Sequence, residues 1–395
     1  ENHEVRSLKY PNPFVSFVNF VVRPYFLIEH SNIGTVARKF AQMEKTFKHS
    51  NTKDTKGSEN YYSELRALRR EHFQRGKISM HLKYGFISVD DHVQEVPNLW
   101  IDRLKKKFGD RVPRLETTKD GSEQWFLDGQ LLLNGRTAQA GALMADRNQA
   151  YNDWLIDEWA SVSDRFIPQC IVPIWPVEAA IAEIRRAVAR GHRGVIFPSL
   201  PMHLRKVPHV SGPEYDPLWS VCEELGVPVC LHAGASPELQ SPLPPRMKPA
   251  LAAALDAATK PVSTVFVISL YSFSRVLLRH PKLRLVLAES ALSWGMLYLE
   301  WADHQFEHDG LAREGYDLTP LQMFKRQCFF NSWYDQIAPF MDYIGADHIL
   351  WSTNLPLANS TWPRTRETID HCFKGLSAAA REKVLWKNAA NLYRL

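Results

Sequence analysis

The chain has 395 residues, 45% hydrophobic and 23% charged, which is ample apolar material for a large core and too little charge for a disordered tail. Its net charge of +5 is uneven, with 15 basic and 8 acidic side chains in residues 1–83 and a slightly acidic remainder. Five cysteines without a C-x-x-C pair exclude a disulfide framework or a cysteine zinc knuckle; they point to a reducing, intracellular compartment, with Cys170, Cys230 and Cys328 expected as core residues.

In chain order, residues 1–83 read as a basic, aromatic N-terminal extension. Phe14, Phe17, Phe20, Val21, Val22 and Tyr25 need a surface to bury themselves on, residues 46–60 form a polar, Lys-rich loop, and residues 64–74 are a charged helix candidate. Residues 11–28 are interrupted by Asn19, Arg23 and Pro24, and no run of 18 apolar residues occurs, so no transmembrane segment is expected. The basic arm makes a mitochondrial location one expectation.

From residue 84 the texture changes to short apolar runs alternating with amphipathic segments, the sign of repeated β-α units around a parallel sheet. Seven strands are expected, at residues 86–89, 166–172, 194–197, 227–231, 283–288, 328–331 and 349–352. Helices are expected at 147–160, 177–189, 217–225, 262–278, 294–306 and 336–344. This order predicts an α/β fold, a (β/α)8 TIM-type barrel over residues 84–395. Residues 91–147 hold a hairpin, QWFLDGQLLL, turned by Asp128-Gly129, but no second parallel strand with a helix behind it. The second strand-helix unit is therefore expected to be shortened or missing.

Barrel enzymes carry their working groups at the C-terminal ends of the strands. Four apolar runs here end in polar groups suited to metals: Asp90-Asp91-His92, His232, Glu289 and Thr353-Asn354. In a strand, residues i and i+2 face the same way, so Asp90 and His92 can share one cation. A lone histidine after a strand is most often a satisfied core residue, and Asp90-Asp91 could simply cap a turn. What raises the metal reading is the coincidence of such residues on separate strands.

The blocks ISVDDHVQEVPNLWIDRL, AYNDWLIDEWA, RFIPQCIVPIWPVEAAIAEIRRAVARGHRGVIFP, DPLWSVCEELGVPVCLHAGAS, LRLVLAESALSWGMLYLEWAD, HILWSTNLPLANSTWP and KNAANLYRL, in this order, resemble the amidohydrolase-related branch of the amidohydrolase superfamily. That branch includes metal-dependent hydrolases and nonoxidative decarboxylases such as the aminocarboxymuconate semialdehyde decarboxylase group. The resemblance covers residues 84–395 and implies a divalent metal (zinc, manganese or iron) held by Asp90, His92, His232 and Glu289.

The departures matter too. Where the family reads S-D-Y-P-H, this chain has Thr353-Asn354-Leu355-Pro356-Leu357, so the acidic ligand and proton carrier is replaced by Asn354 and the following histidine by Leu357. Asn354 can offer a carbonyl oxygen but cannot accept a proton from water. Where the family has E-G-G-x-G, this chain has Glu289-Ser290-Ala291-Leu292-Ser293. Glu289 and the degenerate position Asn354 are the candidate catalytic residues.

The leading expectation is thus a pseudoenzyme with an eroded, conceivably metal-free site, serving as a structural subunit that binds protein partners through its N-terminal extension, with homo-oligomerisation open. On that reading residues 1–45 are dispensable for folding. The alternative is an active divalent-metal-dependent hydrolase or nonoxidative decarboxylase acting on a small carboxylated or cyclic substrate, because decarboxylation needs an electron sink and a proton donor rather than a water-activating base. Nucleic-acid binding is disfavoured, because the basic arm carries no recognised motif. Asn359-Ser360-Thr361 fits a glycosylation sequon but lies in the loop after the last strand.

Overall fold

The computed structural model describes residues 85–93, 95–96, 98–119, 123–127, 130–131, 145–234, 246–357 and 359–395, together with the backbone of residues 19–22. The Lys-rich stretch and the helix expected at residues 64–74 lie outside the described residues. The strands are β1 (Asn19–Val22), β2 (Ser88–His92), β3 (Arg114–Thr117), β4 (Glu123–Leu127), β5 (Gln130–Leu131), β6 (Phe166–Ile171), β7 (Gly194–Ile196), β8 (Val229–His232), β9 (Leu285–Ala288), β10 (Cys328–Ser332) and β11 (Ile349–Trp351). The helices are α1 (Leu99–Phe108), α2 (Ala145–Trp154), α3 (Val177–Ala189), α4 (Asp216–Leu225), α5 (Pro249–Thr259), α6 (Ser263–Phe273), α7 (Val276–Arg279), α8 (Ser293–His308), α9 (Pro320–Gln327), α10 (Thr365–Cys372), α11 (Ala378–Glu382) and α12 (Asn388–Tyr393).

Eight strands form one sheet in the order β11-β10-β9-β8-β7-β6-β1-β2. Strands β6 to β11 pair in parallel throughout. The two edges meet just beyond the ladder, where the Asn354 N–H donates to the Asp90 carbonyl at 3.0 Å and the His92 N–H donates to the Leu355 carbonyl at 2.6 Å. These bonds curl the sheet into a TIM-type barrel and bring the first and last strands together at their C-terminal ends.

The position left open for a second barrel strand is filled by β1, which runs antiparallel to both neighbours: Asn19 lies opposite His92, Phe20 opposite Asp91, and Val21 opposite Ile167. An antiparallel strand needs no crossover helix, so a search for β-α units cannot find it. Loss of residues 1–45 would therefore remove a strand paired on both edges. The expected hairpin is present as β4 and β5, with Leu127 opposite Gln130, and β3 extends it to a three-stranded antiparallel sheet.

Alternation along the strands sorts side chains between two cores. Val229, Leu231, Leu285, Leu287, Ile349 and Trp351 join the large cluster packed against the helices. Their neighbours Val286 and Leu350 pack with Ile87, Val89, Ile167 and Tyr393 in a separate cluster. Helix α3 buries Val177, Ala180, Ile184 and Ala187 along one face, the i, i+3, i+7 pattern of an amphipathic barrel helix. All five cysteines are buried and none forms a disulfide.

One expectation needs correcting. Residues 336–344 form no α-helix but only a 3₁₀ turn at Ala338–Phe340, because Pro339 lacks a donor and Gly345, at φ 89°, ends the segment. Residues Ala250–Phe273 are also helical, and long and apolar enough to cross a membrane by length and composition alone. Asp256 and Lys260 hide this in a search for uninterrupted apolar runs. Within this stretch Val267, Ile268 and Tyr271 are buried in the main core, while Leu251, Val262 and Phe266 are exposed.

Candidate metal centre

Each candidate side chain follows an apolar run that ends at the mouth of the barrel. Asp90 and His92 close β2, His232 closes β8, Glu289 follows β9 and Asn354 follows β11. Glu289 and Asn354 both take left-handed backbone, at φ 47° and 55°, and Ala291 does so at 53°. Such conformations are uncommon for residues with a Cβ and cluster at functional sites. Ala291 stands where the resemblance expects a glycine, so the turn keeps a glycine-type shape without the glycine.

Ligand atoms of Asp90, His92 and His232 all lie within 4.8 Å of one another. Asp90 Oδ1 is 3.6 Å from His92 Nε2 and 3.7 Å from His232 Nε2, and Glu289 Oε2 is also 3.7 Å from His232 Nε2. The His232 ring is oriented by a 2.7 Å hydrogen bond between Nδ1 and the Ala233 carbonyl. The Glu289 N–H donates to Asp90 Oδ2 at 2.9 Å. Asn354 bridges the group: its Oδ1 is 2.6 Å from His92 Nε2, and its Nδ2 donates to Glu289 Oε1 at 3.3 Å and to Asn359 Oδ1 at 3.0 Å. Asp91 points elsewhere, accepting from Thr353 Oγ1 and from the Leu355 N–H at 2.8 Å, and so pins the β11 turn to β2.

Burial sets the electrostatics. It pushes the Asp90 carboxyl up to about 6 against the opposing pull of His232, and Asp91 up to about 7. Burial, reinforced by His232, holds the His92 imidazole down to about 3, so that ring is neutral at physiological pH. Burial also works to raise Glu289, but His232, Lys260, His92 and the Asn354 hydrogen bond outweigh it and hold its carboxyl below the usual range. Lys260, which the sequence reading does not single out, sits in the 3₁₀ turn Lys260–Val262, and its Nζ lies 3.6 Å from Glu289 Oε2. No motif marks it, because it reaches the site from a connection between helices.

These residues fit a divalent cation. Asp90 and Glu289 are almost fully buried, and among the described residues no donor hydrogen-bonds to Asp90 Oδ1 or Glu289 Oε2. Buried carboxylate oxygens without donors are costly unless a cation meets them. Two imidazoles and carboxylate oxygens form a mixed set suited to zinc, manganese or iron. All the metal-ligand residues expected from the sequence are thus brought together, with Glu289 at the edge of the compact trio and Asn354 beside it.

Residues 124–395 match the amidohydrolase family model. A γ-resorcylate decarboxylase from Rhizobium sp. (strain MTP-10005) is 26% identical over 303 residues, covering 67% of this chain and 82% of its own. An amidohydrolase from Mycobacterium avium subsp. paratuberculosis K-10 superposes with a TM-score of 0.64 at 19% identity, over 79% of this chain and 100% of the other. A 5-carboxyvanillate decarboxylase from Novosphingobium aromaticivorans DSM 12444, solved with manganese and 4-hydroxy-3-methoxy-5-nitrobenzoic acid, gives a TM-score of 0.50 at 20% identity, over 63% and 70% of the two chains. Of the two functional expectations, the assembled cluster favours the metal-dependent enzyme over the scaffold.

Proposed function

Because the chain belongs to the amidohydrolase family, we propose that it is a divalent-metal-dependent nonoxidative decarboxylase acting on a small hydroxylated aromatic carboxylate. The observation that carries this reading is the buried trio Asp90, His92 and His232, with an Asp90 oxygen that accepts no hydrogen bond among the described residues. A barrel kept only as a scaffold has no use for such a costly group. Manganese is the favoured ion, by analogy with the manganese-bound decarboxylase of the same fold.

Asn354 separates decarboxylation from hydrolysis. Hydrolysis needs a base to take a proton from the attacking water, and a neutral amide cannot serve. Decarboxylation breaks a carbon–carbon bond, releases CO2 and leaves an electron pair that takes up one proton, with no attacking water. A bound metal would supply the electron sink by polarising an oxygen of the substrate. The chain's own residues provide the frame: Asp90, His92 and His232 would hold the ion, while Asn354 spaces His92 from the ionised Glu289. The direct test is conversion of 2,6-dihydroxybenzoate to resorcinol by the manganese-loaded full-length chain. Product formation that stops with a chelator and returns with added metal supports the reading; a metal-loaded protein inert towards a panel of hydroxybenzoates overturns it.

Metal binding should depend on pH with a sign fixed by Asp90. Its carboxyl binds a cation only when ionised and is half protonated near about 6, whereas the His92 ring loses its proton far below that. Protons therefore compete at Asp90 before they compete at His92, and manganese affinity measured by equilibrium dialysis should fall about tenfold per pH unit below about 6. Constant affinity from pH 7.5 to 5 would remove Asp90 from the ligand set.

Asn354→Asp is expected to destabilise the metal-free protein by about 1–3 kcal/mol, since it deletes two side-chain donors and adds a third carboxylate beside Asp90 and Glu289. Manganese should then raise its Tm by more than it raises that of the wild type. Equal metal-induced shifts in the two proteins would place residue 354 away from the ion.

A further inference from the structure

We infer that Lys260 is the residue that recognises the anionic group of the substrate, so that the loaded site selects a monoanion; this rests on the metal-dependent reading above. Charge balance is the first argument. The carboxylates Asp90 and Glu289 offset a divalent cation, the histidines bind as neutral imidazoles, and Asn354 carries no charge. The Lys260 ammonium adds a positive charge beside these carboxylates, 3.6 Å from Glu289 Oε2, which an acidic residue at position 354 would offset.

The second argument is that the fold delivers this lysine deliberately. Its side chain is only 13% exposed, although a lysine at a turn can usually extend its head to water. The stem lies over Gly234, immediately after β8, where a Cβ would come within 3.1 Å of Lys260 Cδ and 3.2 Å of Cγ. Gly234 also has φ 75°, so the bend that clears this slot suits glycine. Ser263 Oγ donates to the Lys260 carbonyl at 2.7 Å and accepts from the Gly234 N–H at 3.4 Å, clasping the Lys260 turn to the strand that carries His232. The charge is thus aimed beside the ion-binding group, within reach of a group that binds there.

The test uses the full-length wild type, Lys260→Met and Lys260→Arg, each dialysed against manganese, with metal content and Tm recorded before calorimetric titration. The probes are 2,6-dihydroxybenzoate and its neutral decarboxylated counterpart, resorcinol. The wild type is expected to bind the carboxylate at least about tenfold more tightly than resorcinol, as one charge-assisted contact allows. Lys260→Met should reduce that preference to about threefold or less with metal content and Tm unchanged, and Lys260→Arg should restore most of it. A wild type without the preference, a Lys260→Met protein that keeps it, or one that loses the metal along with it overturns the assignment. A wild type that takes up no metal would sink the metal-dependent reading and this assignment with it, whereas a loaded wild type whose preference survives Lys260→Met overturns this assignment alone.

Discussion

Replacing His232 with alanine is expected to leave the protein folded and unable to hold manganese, and His92→Ala should do the same. Each ring is one of three groups within 4.8 Å on two different strands, and no other described histidine joins that cluster. Losses in the outer shell alone commonly weaken metal sites 10- to 100-fold, so removal of a direct ligand should cost more than about 100-fold in affinity. Equilibrium dialysis against manganese, with circular dichroism to confirm the fold, gives the comparison. Wild-type affinity in either variant would mean that the trio is not the binding site.

The largest expected loss of stability comes from Asn152→Ala. Asn152, on α2, is fully buried, and its amide meets both backbone groups of one residue: Nδ2 donates to the Ile171 carbonyl at 2.9 Å and Oδ1 accepts from the Ile171 N–H at 3.0 Å. Nδ2 also donates to Glu183 Oε1 at 2.6 Å, and Glu183 in turn accepts from Arg186. Ile171 is the last residue of β6; it lies opposite Ile196 of β7 on one side, while on the other β1 pairs only with Phe166, Ile167 and Pro168. Truncation leaves a buried N–H, a buried carbonyl and a buried carboxylate each short of a partner, at a cost of about 3–5 kcal/mol. Urea denaturation of the metal-free protein measures this. A loss below about 1 kcal/mol would show that water or a neighbouring group takes over the amide's role.

What could be read in the sequence was whatever repeats with a period or ends a strand. The seven parallel strands show as short apolar runs, and because a parallel barrel gathers its strand ends at one face, Asp90, His92, His232, Glu289 and Asn354 could be named before their distances were known. Strand β1 could not, since its aromatic, β-branched pattern asks for burial without saying where, and it joins β2 and β6 in the direction opposite to every other strand of the sheet. Lys260 was invisible because its approach depends on the missing Cβ of Gly234 rather than on any spacing. The substitutions at positions 290 and 291 suggested erosion, yet Ala291 holds the left-handed turn and Glu289 stays aimed at the cluster. Losing a glycine strained the loop without dismantling it, and the scaffold expectation gave too much weight to that loss.

The claim that Asp90, His92 and His232 still form a working metal site is tested most directly by elemental analysis of the full-length protein purified without chelators, after gentle removal of loosely bound ions. The structure predicts about one transition-metal ion per chain, retained at pH 7.5 and released near pH 5 as Asp90 takes up its proton. A folded protein that carries no metal, and takes up none from manganese or zinc at neutral pH, would contradict it.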